Sequence, residues 1–108
     1  MRRQFKDTAL RIAKNDEKLV FLFGDISVFL FNEFRELYPD RLLNVGICEN
    51  TLISMAAGLS ATGFYPVVHT IAPFVTERSY EQVKLDICYN RFGCTIVTCG
   101  GSFDYAWD

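Results

Sequence analysis

Glu49 is the residue around which chemistry can be organised. It follows the short apolar run Val45-Gly46-Ile47-Cys48 and precedes Asn50 and Thr51, where an apolar, small-residue stretch from Leu52 to Gly63 begins. A carboxylate therefore stands where a strand gives way to a helix. In open α/β sheets ligands bind in the crevice outside the carboxyl ends of the strands, and an acidic group at such a junction is the first candidate for acid–base work. Helix N-terminal N–H groups attract negative charge, whereas apolar neighbours resist burying it, so the two influences oppose each other. The plainer alternative is a helix-start carboxylate that caps Leu52 or a neighbour.

Other side chains offer less. His69 is the only histidine, and at the end of the run Pro66-Val67-Val68-His69-Thr70 it reads first as structural and second as a substrate contact. Arg78, within Glu77-Arg78-Ser79-Tyr80-Glu81, fits an ion pair with Glu77 or Glu81 better than a phosphate site. Asp25 reads as a turn residue after a strand. Cys48 has no base near it in sequence, so packing is favoured over nucleophilic catalysis. The spacing of Cys48, Cys88, Cys94 and Cys99 fits neither CxxC pairs nor a zinc ribbon, and most of these thiols are expected to be buried as small apolar residues.

Alternating helices and strands must position these groups. Phe5, Ala9, Ile12 and Ala13 recur at helical spacing, predicting an amphipathic helix over 2–16. Leu19-Val20-Phe21-Leu22-Phe23 is a continuous apolar run closed by Gly24-Asp25, the pattern of a strand buried on both faces. Leu30, Phe31, Phe34 and Leu37 predict a helix over 27–37, with Ser27 as N-cap and Pro39 as its stop. A strand is expected at 42–47, then a helix with Leu52, Met55, Ala56 and Leu59 on one face and Gly63 as C-cap. Its Ala-Ala-Gly-Leu-Ser-Ala run suits close packing, within the domain or against another subunit. A strand at 66–70, a helix at 77–90 with Tyr80, Val83, Ile87 and Cys88 on one face, and a strand at 94–99 complete the pattern.

The expected fold is α/β: three layers, a mostly parallel sheet with helices on both faces. Residues 1–108 form one domain, half of them apolar, with no linker or internal repeat. The chain stops soon after a buried strand, at Gly101 to Asp108, so the domain is expected to be incomplete at its C-terminus. A net charge of -2 provides no basic field for nucleic acid or a membrane surface. The polar N-terminus and the lack of a long apolar run point to the cytoplasm.

A set of ordered pieces goes further. Gly24-Asp25-Ile26-Ser27, then Gly46-Ile47-Cys48-Glu49-Asn50 with Ala56-Ala57-Gly58-Leu59, then Gly63, Pro66-Val67, Thr70, Phe74, Arg78 and Tyr80-Glu81-Gln82-Val83 resemble the pyrimidine-binding domain of transketolase-like thiamine diphosphate enzymes. Transketolases, deoxyxylulose-5-phosphate synthases and the β subunits of 2-oxoacid dehydrogenase E1 components belong to that family. The resemblance runs from about Phe21 to the end of the chain.

It implies that Glu49 is the catalytic glutamate that hydrogen-bonds N1′ of the aminopyrimidine and promotes its imino tautomer. It implies that Phe74 packs against that ring and that Asp25 lies near the thiazolium side. Ile71 departs from transketolases that carry a second aromatic there. The Gly-Asp-Gly and Asn-Asn segments with which the family binds diphosphate and magnesium are missing from this sequence, so no metal ligand is expected, Asp25 included. The resemblance thus implies a diphosphate-binding domain on another chain, in a homodimer or heterotetramer. It also implies that this transferase domain is inactive alone and that its substrate is a sugar phosphate. The alternatives are a non-catalytic partner domain, or half of an E1 or deoxyxylulose-phosphate synthase-like enzyme.

Overall fold

A computed structural model describes residues 1–101. The stretch from Ser102 to Asp108, which carries most of the expectation of an uncovered chain end, lies outside the described residues. Four parallel strands form one sheet: β1 (Leu19–Phe23), β2 (Leu42–Asn44), β3 (Tyr65–Ile71) and β4 (Thr95–Cys99), in the order β2-β1-β3-β4. The chain steps from β1 to one side, then returns past β1 to the other. Right-handed crossovers in opposite directions put their helices on opposite faces. Accordingly α1 (Arg2–Ala13) and α2 (Asn32–Leu37) cover one face, while α3 (Glu49–Ala61) and the segment from Phe74 to Tyr89 cover the other. The three-layer expectation is met.

Strand alternation sorts the core. Phe21 and Phe23 face α1 and α2 and pack with Phe31 and Phe34, the Phe23–Phe31 and Phe21–Phe34 rings meeting edge to face with centroids 4.7 and 4.9 Å apart. Leu22 and Val68 face the other way, against Leu52, Ile53, Ala56 and Ala57 of α3. All five residues of β1 are buried, as its unbroken apolar run required. Arg41 ties the first helix to the sheet by donating to Leu19 O, Ala13 O and Asp16 O while its guanidinium stacks on Tyr38.

Several boundaries differ from expectation, each for a local reason. The helix over 27–37 is split into a 3-10 turn at Val28–Phe31 and α2, and Ser27 does not cap it. Ser27 takes a left-handed φ of 60° and turns its hydroxyl to His69. Strand β2 is three residues long because Gly46, at a φ of 86°, turns the chain early. The helix expected at 77–90 is instead a π turn (Phe74–Arg78), a three-residue helix α4 (Tyr80–Gln82) and a second π turn (Val83–Tyr89). Thr76 and Ser79 donate to the carbonyls of Ala72 and Val75 four residues back, a bond that competes with regular winding. Only Val83 and Ile87 of its expected face are covered, and Tyr80 and Cys88 are exposed.

Helix α3 starts at Glu49, three residues before Leu52, and buries Leu52 and Ala56 as expected, though Met55 is outside. Its end follows the sequence closely: Gly63 at a φ of 96° donates to Ser60 O, and Phe64 donates to Leu59 O, a Schellman ending. The cysteine expectation fails in part. All four are free thiols, but Cys48 and Cys88 are exposed and only Cys99 is fully buried. Burial pushes the Cys94 thiol up to about 11, which keeps it protonated and unreactive. Among the described residues no helix is long and apolar enough to cross a membrane.

Gly58 is exposed, and a Cβ there would meet open space. Gly58→Ala is therefore expected to stabilise the chain by about 1 kcal/mol through helix propensity alone. A urea denaturation midpoint that does not rise on this substitution would mean that Gly58 serves a contact beyond this helix.

Candidate functional site

The order β2-β1-β3-β4 makes the gap between the carboxyl ends of β1 and β3 a topological switch point, the place where open sheets form ligand crevices. Two side chains and a glycine meet there. Thr70 shares the face of Val68 because alternate residues of β3 point the same way, and this aims its hydroxyl under the start of α3. Gly24 continues β1, its N–H bonded to His69 O at 2.9 Å. A Cβ on Gly24 would come within 2.9 Å of Thr70 Oγ1 and 3.4 Å of Glu49 Oε1, so no larger residue fits.

Glu49 is the first residue of α3 and is completely buried. It does not cap the helix: Leu52 N–H donates to Cys48 O, and the Glu49 side chain points away into the switch-point crevice. Thr70 Oγ1 donates to Oε1 at 3.0 Å, and Arg78 Nη1 donates to Oε2 at 2.7 Å. The sequence expectation for Arg78 was a local pair with Glu77 or Glu81. The π turn instead carries it back to Glu49, where it forms a salt bridge.

The same turn places Phe74 four residues before Arg78 on one side of the winding, and the guanidinium lies over the Phe74 ring, 4.1 Å from its centroid. Asn50, next to Glu49, donates to Arg78 O at 3.0 Å and to Gln82 Oε1 at 2.9 Å, locking the start of α3 to the π turn. Glu49, Phe74 and Arg78 thus form one cluster.

Asp25 takes part differently. Held at a φ of 58°, it bonds with Asn44: its N–H donates to Asn44 Oδ1 at 3.0 Å, and Asn44 Nδ2 donates to its Oδ1 at 2.8 Å. Asn44 Oδ1 also accepts from Gly46 N–H at 3.2 Å, so one carboxamide clamps the loops after β1 and β2. His69 lies on the opposite face from Glu49. Its Nδ1 faces the Val97 carbonyl at 2.7 Å, which can only accept, so Nδ1 carries the proton and Nε2 accepts from Ser27 Oγ at 3.1 Å. Burial among Phe5 and Phe23 lowers its pKa from 6.5, against a smaller upward influence of the Val97 bond; Arg2 adds to the lowering. His69 is thus held between Val97 and Ser27, away from Glu49.

The family model for the transketolase pyrimidine binding domain matches residues 1–108. The chain belongs to that family. An uncharacterised 33.6 kDa protein of the fasciation locus in Rhodococcoides fascians is 37% identical over 93% of this chain and 32% of its own length. An apulose-4-phosphate transketolase subunit of Actinobacillus succinogenes is 45% identical over 72% of this chain and 25% of its own. The 1-deoxy-D-xylulose-5-phosphate synthase of Oleidesulfovibrio alaskensis is 36% identical over 84% and 14%. A solved split-gene transketolase, in an inactive beta4 tetramer, superposes with a TM-score of 0.77 at 33% identity, covering 88% of this chain and 32% of that one. The chain therefore spans about a third or less of the length of these relatives.

Within this transketolase-family domain, Thr70, Gly24 and Asn50 stand in the pieces that carry the resemblance, yet residue type and spacing alone give none of them a site role. Thr70 was legible in principle: period-two alternation along β3 puts it beneath Glu49 once the strands are paired.

Two outcomes test this geometry. Thr70→Val leaves buried Oε1 of Glu49 without its hydroxyl donor and is expected to cost about 1–3 kcal/mol in urea denaturation, whereas Thr70→Ser restores most of it. For His69, the folded pKa lies below the unfolded one, so the unfolded chain binds its proton first as pH falls. Its stability contribution is complete above the unfolded value of 6.5 and declines as pH drops below it. The urea midpoint should fall between about pH 7 and about pH 5.5, before carboxylates titrate, and His69→Gln should flatten that fall.

Proposed function

We propose that this chain is the pyrimidine-binding half of a thiamine diphosphate-dependent transketolase-type enzyme, with Glu49 the residue that meets N1′ of the cofactor's aminopyrimidine. The observation that carries the reading is a fully buried carboxylate at the β1/β3 switch point whose partner Arg78 also lies over a flat aromatic side chain, Phe74. The residues fit the group. An aminopyrimidine needs a carboxyl at one ring nitrogen and an apolar plane against its face, and Glu49 and Phe74 offer both.

When bound, thiamine diphosphate supplies an electron sink for carbon–carbon bond cleavage and formation, here assigned to transfer of a two-carbon ketol unit between sugar phosphates. Glu49 holds a proton at N1′, and its burial excludes water from that bond. Thr70 fixes Oε1, so that the carboxyl plane does not rotate. Gly24 keeps room for the carboxyl above β1. Phe74 orients the ring.

Asp25, which Asn44 holds in its turn, is assigned to the thiazolium side of the cofactor. The diphosphate and its magnesium belong, in this reading, to a domain on another chain, in a homodimer or heterotetramer. A relative that is itself one subunit of a transketolase, and a structural neighbour from a split gene, support such a division. This chain is then inactive without that partner domain, and its four free thiols accord with the cytoplasm. The relative that is a 1-deoxy-D-xylulose-5-phosphate synthase favours a second reading, in which the same Glu49 site serves a different carbonyl substrate.

The test is co-expression with a genomic neighbour bearing the Gly-Asp-Gly and Asn-Asn segments, followed by assay of thiamine-dependent ketol transfer. Glu49→Gln is expected to retain the cofactor and lose turnover by about 100-fold or more, the scale of a missing acid–base group. Intact turnover in Glu49→Gln would remove the catalytic assignment.

A further inference from the structure

Resting on that reading, we propose that Arg78 is a built-in occupant of the aminopyrimidine site: its guanidinium fills the ring's place on Glu49 and Phe74 in the ligand-free chain and leaves when the ring binds.

The two contacts of Arg78 are the two that the reading assigns to the ring. A guanidinium is planar, cationic and rich in N–H donors, and it stacks on aromatic faces. An aminopyrimidine protonated at N1′ has the same features. Arg78 Nη1 donates to Glu49 Oε2 at 2.7 Å while the guanidinium carbon lies 4.1 Å from the Phe74 centroid. A flat heterocycle that stacks on this face and reaches this oxygen needs the same volume.

The surroundings let the side chain go without disturbing the site. The Arg78 side chain is 42% exposed, whereas that of Glu49 is 0% exposed, so the cation can swing into water and the carboxyl cannot follow. Asn50 holds the Arg78 backbone carbonyl, which leaves only the side chain to move. Thr70 retains Oε1 throughout. The physical need for an occupant is clear: a buried carboxylate stripped of its partner is strongly unfavourable, and a removable cation satisfies it until the ring arrives. The occupant then competes with the ring and lowers its apparent affinity.

The probe is 4-amino-5-hydroxymethyl-2-methylpyrimidine, the ring half alone, titrated into the purified chain by NMR. In the wild type, saturation should move the Arg78 Nε–H resonance toward its solvent-exposed position. Arg78→Ala should bind the ring about tenfold more tightly, because the competitor is gone and the unpaired Glu49 gains a partner. Arg78→Gln, which keeps a donor without the charge, should fall between. Equal or weaker binding by Arg78→Ala, with Phe74→Ala still lowering the affinity of the wild-type site, overturns the occupant and leaves the pyrimidine site standing. Ring binding by none of these proteins overturns the site reading, and the occupant with it.

Discussion

A carboxyl group with no exposure to water must be given hydrogen-bond donors by the fold, and the arrangement around Glu49 follows from that requirement. Its position as the first residue of α3 sends the side chain into the crevice instead of back along the helix. Thr70 comes from β3, Arg78 from the π turn beyond it, and Gly24 from the end of β1. Two donors from separate elements therefore have to be correctly placed, and a glycine has to leave room, before one side chain is satisfied. Losing any donor leaves a buried oxygen unpaired, which costs more than the lost bond would in water.

The topology supplies the place for this group. Because β1 lies between β2 and β3, the crossovers diverge at its carboxyl end, the place where open sheets form ligand crevices. The α3 side of the sheet then carries Leu22, Val68 and Thr70, while the α1 side carries Phe21, Phe23 and His69. Two adjacent residues of β3, His69 and Thr70, thus belong to unrelated environments. His69 stabilises the aromatic layer and the left-handed turn at Ser27, whereas Thr70 serves the carboxyl.

Much of the framework was legible in the residues. The apolar run of β1, the Gly63 ending of α3 and the strand–helix alternation follow from periodicity and local stereochemistry, and the structure has them all. Glu49 could be singled out by its place at a junction, but its burial and partners could not, because Thr70 and Arg78 are distant in sequence and meet it only through strand pairing and the π turn. Arg78 is the instructive failure. Local spacing favoured Glu77 and Glu81, and a regular helix would have made that choice reasonable. The side chain-to-backbone bonds of Thr76 and Ser79 accompany a wider winding, and the arginine turns inward. Wide turns of this kind are rare and gather at functional sites. Ser27 fails similarly: a cap on sequence grounds, it is drawn off by a histidine that chain order keeps far away.

Contact between Glu49 and the pyrimidine nitrogen is the central requirement of the proposed site. The most direct measurement is the 15N resonance of N1′ in labelled thiamine diphosphate bound to this chain assembled with the proposed diphosphate-binding partner. A protonated N1′ signal at neutral pH, lost in Glu49→Gln while the cofactor stays bound, is the expected result. A bound cofactor whose N1′ resonance matches that of the free molecule in both proteins would contradict it.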